Sequence, residues 1–337
     1  PNTAPTGELT LSGTAAIGQT LTLQSTVADA DGIDPATVVY QWMRGGVDIS
    51  GAEGTSYTLA VADLGAQISA RLTFTDLSGT DESVSSTASA AVVIPNLTLA
   101  GTAGNDRLEG GIGTDNLSGL AGNDTLIGND GNDTLDGGLG SDTLIGGAGD
   151  DFIFGGASVD DLRDVLYGGD GNDSLDGGYG NDELRGDAGN DNLAGGYGAD
   201  TVIGGTGDDV LTGAAFSDLL YGGDGTDFIN GGFGYDRVNG GAGADKFYHL
   251  GVKRHGSDWI QDYSSAEGDV LMFGGGAAAT SDFLIQRANT ANAGQAGVDE
   301  IFVTQISTSN LLWALVDGDA QAHINIQIQG QVFDLLA

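Results

Sequence analysis

The chain contains no Cys, only 3 His and 4 Pro, and just 10 Lys plus Arg among 337 residues. Each shortage excludes something. Without Cys there are no disulfides, no thiolate metal sites and no thiol nucleophile, which suits a protein passing from the cytosol to an oxidising exterior. So few cations leave no basic surface for nucleic acid or an anionic membrane. No apolar run reaches the ~18 residues a membrane helix needs, so no spanning segment is expected. There is no amino-terminal signal peptide, and the chain opens Pro1-Asn2-Thr3 without Met, so it is expected to be part of a longer protein.

What is abundant is acid and glycine. The 48 Asp plus Glu give a formal net charge of -38 and a pI near 4.1. A compact fold with that imbalance repels itself and needs counterions bound within it. Gly makes up 61 of 337 residues, far above the roughly 7% of average proteins. With no Gly at every third position, collagen is excluded. Disorder would be the other reading of acid plus glycine, and the placement of the glycines decides against it. The expected class is all-β, in three segments.

Residues 1–96 carry short alternating runs separated by Gly and Asp, among them Leu21-Thr22-Leu23, Val38-Val39-Tyr40-Gln41-Trp42 and Ala70-Arg71-Leu72-Thr73-Phe74. About seven short strands in such a length predict a β-sandwich with Trp42 in its core. The acidic turn Asp29-Ala30-Asp31-Gly32 reads as a solvated loop, with a peripheral cation site as the alternative. The segment resembles the immunoglobulin-like repeats of bacterial surface and secreted proteins. The likeness is carried by Asp29-Ala30-Asp31-Gly32, Tyr40-Gln41-Trp42-Met43-Arg44, Ser56-Tyr57-Thr58-Leu59, Ala62-Asp63-Leu64-Gly65 and Phe74-Thr75-Asp76. It implies a spacer or adhesive module, with a surface ligand as its partner.

Residues 101–248 repeat every nine residues. Turns begin at Gly101, Gly110, Gly119, Gly128, Gly137, Gly146 and Gly155, and after one insertion at Gly168, Gly177, Gly186, Gly195, Gly204, Gly213, Gly222, Gly231 and Gly240. Disorder does not hold such a register. Each unit reads as a six-residue turn and a three-residue strand whose middle residue, from Leu108 to Val238, points inward. Two strands per 18-residue coil set two apolar ladders face to face, and only stacked coils bury them.

Every turn closes on an Asp: Asp106, Asp115, Asp124, Asp133, Asp142, Asp151, Asp164, Asp173, Asp182, Asp191, Asp200, Asp209, Asp218, Asp227, Asp236 and Asp245. Stacking sets equivalent Asp residues about 4.8 Å apart. Bare carboxylates in such columns oppose folding, and a hard divalent cation between turns reverses the sign. Asp oxygens plus turn carbonyls supply the 6–8 oxygens that Ca²⁺ prefers, whereas Mg²⁺ demands a small octahedral shell. No His recurs in the repeat, which argues against zinc. Eight turns on each edge leave fourteen gaps at most, so about 10–13 ions are expected, and about twelve would cancel roughly 24 charges.

Three turns depart from the pattern. The unit at Gly155 is four residues longer, with Ser158-Val159-Asp160-Asp161-Leu162-Arg163 leading into Asp164, and would bulge out or divide the roll. At Gly213, Ala214 and Phe216 stand at glycine positions, and Phe216 is expected to pack as a plug. The turn at Gly101 is expected to act as a cap.

These units resemble the glycine- and aspartate-rich nonapeptide repeats of the RTX family, proteins exported by type I secretion. The pattern Gly-Gly-x-Gly-x-Asp-x-apolar-x is itself an established calcium-binding signature. The resemblance implies a parallel β-roll with each ion between successive turns, held by the Asp residues above and by backbone carbonyls.

Residues 249–337 lose the repeat and are expected to form irregular β structure around Ile301-Phe302-Val303, Leu311 to Val316 and Ile324 to Ile328, with a loop or short helix over 277–296. Phe247, Asp258-Trp259-Ile260-Gln261-Asp262-Tyr263 and Gly268-Asp269-Val270-Leu271 are similar to the segment that closes such rolls. The ending Gln331-Val332-Phe333-Asp334-Leu335-Leu336-Ala337 is similar to an uncleaved export signal. The resemblance thus implies the type I secretion apparatus as a transient partner, a secreted or cell-surface location, and folding triggered by calcium outside the cell.

No catalytic constellation is expected. His249, His255 and His323 are the only histidines, and neither an HExxH zinc site nor a GxSxG elbow occurs. The Asp pairs are periodic, whereas a catalytic carboxylate pair is unique. In family relatives such a region terminates toxins, enzymes and adhesins. The alternatives to a secretion and stability module are therefore a calcium-rigidified adhesin stalk, or the non-catalytic end of a secreted enzyme or toxin.

Overall fold

Alternating Thr, Val and Leu between glycine turns favour extended backbone, and strands and turns make up nearly all of the computed structural model, which describes residues 2–253, 255–290, 293–295 and 298–337. By its contacts the chain divides into two units, Pro1–Pro95 and Asn96–Ala337.

The first unit has seven strands: β1 (Leu9–Ser12), β2 (Thr20–Ser25), β3 (Val39–Arg44), β4 (Val47–Glu53), β5 (Ser56–Thr58), β6 (Ile68–Thr75) and β7 (Asp81–Ser85). They form two antiparallel sheets, ordered β1-β2-β5 and β4-β3-β6-β7. Period-two alternation turns Ile68, Ala70, Leu72 and Phe74 of β6 towards Leu21 of β2 in one apolar core. Trp42 is fully buried there, its indole N–H donating to the Gly54 carbonyl at 3.0 Å.

In the second unit two twelve-stranded sheets face each other, and within the repeats successive strands cross between them, so each pairs in parallel with the strand 18 residues on, or 22 across the insertion. Leu117 lies beside Leu135, Leu135 beside Ile153, and Leu126 beside Leu144. From Leu117 to Val238 the inward residues are at most 3% exposed and share one core. Leu108, at the open end, is only partly buried. Because the core is one side chain thick on each face, no second layer compensates for a lost one. Leu184→Ala should cost about 2–5 kcal/mol, read as a rise in the calcium concentration at which the roll folds.

The insertion bulges and leaves the roll undivided. Thr143–Ala148 pairs with Val165–Asp170, and Phe152–Gly156 with Ser174–Gly178, in unbroken register across it. The expectation that Phe216 plugs the roll is corrected: it stands 65% exposed. Ala214 and Phe216 keep the left-handed backbone of the glycines they replace, at φ 81° and 85°. With its Cβ held in that conformation, the Phe216 ring projects outward.

The two sheets run on beyond residue 248. Asp258–Ile260 and then Asn310–Leu315 extend one in parallel, and Val270–Phe273 and Asn325–Ile328 extend the other. Ile324, Ile326 and Ile328 point into the same core, as their alternation requires. Antiparallel strands close the ends: Glu300–Gln305 and Phe283–Ala288 on one sheet, and Gln331–Asp334 on the other. The loop or short helix expected over 277–296 is therefore a single 3-10 turn, Thr280–Asp282, leading into the strand Phe283–Ala288; its end at Ala296 lies outside the described residues.

Candidate metal centre

The glycines make room for carboxylates. A Cβ on Gly119 would sit 2.5 Å from the Gly137 carbonyl oxygen and closer still to Asp124 Oδ2, so a side chain there would displace the acid. Gly198, at φ 148°, has a different task, since a Cβ there would meet the Gly180 carbonyl of the neighbouring coil.

Within that space the Asp residues form two ladders. On one edge the Asp106 amide donates to Asp124 Oδ1 at 2.7 Å, Asp124 to Asp142, Asp142 to Asp164, and so on through Asp182, Asp200 and Asp218 to Asp236. On the other the Leu97 amide donates to Asp115, Asp115 to Asp133, and the series runs through Asp151, Asp173, Asp191, Asp209 and Asp227 to Asp245. One oxygen of each carboxylate thus serves the backbone. The other, Oδ2, is buried without a hydrogen-bond partner in every one of these Asp residues from Asp124 to Asp245. Asp106 and Asp115 differ: Asp106 Oδ2 accepts from the Thr102 amide and hydroxyl at 2.6 and 2.8 Å, and Asp115 Oδ2 from the Gly111 amide at 2.5 Å.

Rows of buried, unpartnered carboxylate oxygens are electrostatically untenable when ionised. Burial, reinforced by the neighbouring carboxylates, pushes Asp142 and Asp173 up to about 6, Asp151, Asp218 and Asp227 to about 7, and Asp164 to about 8. A shift of two units is about 3 kcal/mol, so a few such groups outweigh the roughly 5–15 kcal/mol that holds a domain together. A cation between coils removes the penalty. The donor set is all oxygen and close-packed, which fits Ca²⁺.

Two further carboxylates continue the ladders and were absent from the sequence-based set. The Asp245 amide donates to Asp269 Oδ1 at 3.0 Å. The pairing of Arg237 with Trp259 sets Asp258 beside Asp236, where it is buried with Oδ1 unpartnered and is driven well above the usual carboxylate range. Both have an apolar residue two positions on, Ile260 and Leu271, as in every unit, but neither has a glycine at the first turn position; Asp258 keeps only Gly256 at the fourth, bridged to Gly234 of the preceding coil. Register then places Trp313 beyond Asp258 and Ile324 beyond Asp269. The columns end on apolar side chains there, as one begins on Leu97.

In the first unit Asp29, Asp31 and Asp76 bring carboxylate oxygens within 4.8 Å of one another. Asp76 is buried, and hydrogen bonds from Thr80 and Ser78 hold it below the usual range. Sequence reasoning named the first two as a loop; Asp76 joins them from the far end of β6. The histidines do other work. His249 is fully buried and pushed down to about 4 by desolvation. Its Nδ1 accepts from the Gly251 amide at 2.9 Å and its Nε2–H donates to the Gly256 carbonyl at 3.2 Å, so both nitrogens are committed. His255 packs on Phe233 with ring centroids 4.8 Å apart.

Residues 98–126, 127–162, 160–193, 185–220 and 221–251 match the family model of the RTX calcium-binding nonapeptide repeat (4 copies). No curated protein matches the chain. The repeat region is a calcium-binding parallel β-solenoid, flanked by other β-sheet regions.

Proposed function

We propose that this chain, with an RTX calcium-binding repeat region at its centre, is a folding module that calcium switches on outside the cell. The observation that carries the reading is the run of buried, unpartnered Oδ2 atoms. In this reading all sixteen turn Asp residues, from Asp106 to Asp245, together with Asp258 and Asp269, ligate Ca²⁺ with turn carbonyls. Those at Asp106, Asp115 and Asp269 bind most weakly, because their second oxygens already have donors.

Submicromolar cytosolic calcium leaves such a chain unfolded, and extracellular modules of this kind bind at about 10⁻⁴–10⁻³ M. Binding free energy then becomes folding free energy. An unfolded chain suits a type I secretion channel, and folding outside favours net export. Residues 249–337 serve as cap and export signal in this scheme, 101–248 as the roll, and 1–96 as an immunoglobulin-like spacer or ligand-binding sandwich. The last assignment draws on the three-against-four strand order and the Trp42 core of the first unit.

The test is a calcium titration of the purified chain followed by far-UV circular dichroism. A cooperative gain of β signal between about 0.1 and 1 mM Ca²⁺, absent with Mg²⁺, is expected. A fully folded spectrum in excess chelator at neutral pH would defeat the switch.

A further inference from the structure

The geometry assigns to the insertion a cation site of its own, outside the periodic array. The turn at Gly155 keeps its positions despite the extra residues. Gly156 pairs with Gly178, the second residue of its turn, and the Leu162 amide donates to the carbonyl of Gly140, the fourth of its own, at 3.0 Å. Asp164 remains in the ladder. Residues 157–160 are therefore the insertion, and Asp161 takes the third turn position. On this edge the other turns from Gly119 onward have Ala121, Leu139, Tyr179, Tyr197, Ala215 and Phe233 there, none of them charged.

Asp161 does not face solvent. It is 6% exposed, and its Oδ1 accepts from the Gly140 and Leu162 amides at 3.1 and 3.0 Å. Its Oδ2 is buried with no partner. A Cβ on Gly156 would touch both Asp161 Oδ2 and the Gly138 carbonyl oxygen, so two acceptors share one space with no donor between them. Asp136 and Asp164 add negative field. Two oxygens facing each other without a proton require a hard cation, and the oxygen set selects the Ca²⁺ class. The ion has Asp161 Oδ2 and the Gly138 carbonyl as protein ligands. Asp142 Oδ2 faces the same gap beside the Gly155 carbonyl, so this gap carries one carboxylate more than its neighbours. Affinity rises with the negative charge around a site, so this is the tightest site and it lies in the middle of the stack.

The inference rests on the calcium reading above, and the experiment separates the two. Calcium binding to the full chain is measured by competition with a fluorescent chelator for wild type, Asp161→Asn and Asp200→Asn. Wild type should show one ion held about tenfold more tightly than the rest. Asp161→Asn should lose that ion and keep the cooperative remainder, whereas Asp200→Asn should keep it. Deleting residues 157–160 restores a six-residue turn with Asp161 at an outward position; this variant should fold and lack the tight ion, which covers a failure of Asp161→Asn to fold. The rival is a protonated Asp161 donating to the Gly138 carbonyl. An Asn amide would reproduce that bond, so Asp161→Asn with unchanged ion number and affinities overturns the site. Wild type binding no calcium would overturn both readings at once.

Discussion

Acid should do part of the work of calcium. In chelator at pH 7.5 the chain is expected to lack the β signal of the roll, and at pH 5 much of that signal should return without any metal. The sign follows from the ladders. Asp142, Asp151, Asp164, Asp182, Asp218 and Asp227 titrate between about 6 and about 8 in the ion-free roll, against 3.8 in an unfolded chain. Across that interval the folded state binds more protons, so the stability of the ion-free roll is present below about 4 and is lost as pH rises towards 8. At pH 5 most of these carboxyls are neutral when folded, and the chain is still above its sequence pI of about 4.1. Calcium competes with those protons, so its apparent affinity should fall as pH drops from 7.5 to 5. Circular dichroism against pH, in chelator and in 2 mM calcium chloride, checks both arms. An ion-free spectrum unchanged between pH 5 and 7.5 would mean that carboxylate repulsion is not what keeps the roll open.

Gly198→Ala should be among the most damaging single methyl groups in the roll. At φ 148° an L residue is strained, and the new Cβ would collide with the Gly180 carbonyl. Neither coil can move aside, because the Asp182 amide is tied to Asp200 Oδ1 at 2.8 Å and the inward Leu193 is wholly buried. A cost of about 3 kcal/mol or more is expected, read directly as lost unfolding free energy in saturating calcium; shared over about twelve ions in one cooperative step it raises the calcium midpoint by only about 1.5-fold. If the clash instead cuts the stack, the titration should resolve into two transitions, one for each shorter roll. An unfolding free energy in saturating calcium, from urea denaturation, within about 1 kcal/mol of wild type would show that adjacent coils are not in the close contact described.

The regular part of this fold was legible because the same physics repeats: a glycine turn, an acid at its end, and an apolar residue two further on. Sixteen copies of that pattern fix the strand period and the Asp columns without any knowledge of tertiary contacts. Legibility failed where one element of the pattern was missing. Asp258 and Asp269 retain the spacing to Ile260 and Leu271 but lack the glycine that opens a turn, and only Asp258 keeps the one two residues before the acid, Gly256, so stacking is what reveals both as ladder members. Phe216 was misjudged because hydrophobicity suggested packing, whereas a left-handed backbone at φ 85° decides where the side chain points. The role of Asp161 depends on which residues of the long turn hold the standard positions, and sequence offers several alignments that pairing between coils reduces to one. The strand Phe283–Ala288 is anchored by antiparallel pairing to Glu300–Gln305, a nonlocal contact that local pattern does not announce.

The amide-to-carboxylate bonds of the turn-closing Asp residues point one way along the stack. In these two ladders each coil donates towards the carboxy-terminal neighbour and accepts from the amino-terminal one, so each ladder has unlike ends, as a polar filament does. A coil exposed on the amino-terminal side presents a carboxylate oxygen, which water satisfies readily. A coil exposed on the other side would present an amide donor from inside a turn, which is harder to solvate. The fifth turn residues run the other way, the Asn172 amide donating to Asp150 Oδ1 and the Thr226 amide to Asp208 Oδ1 at 2.8 Å. Each coil is thus tied to both neighbours through side-chain acceptors, the turn-closing Asp on one face and the fifth turn residue on the other.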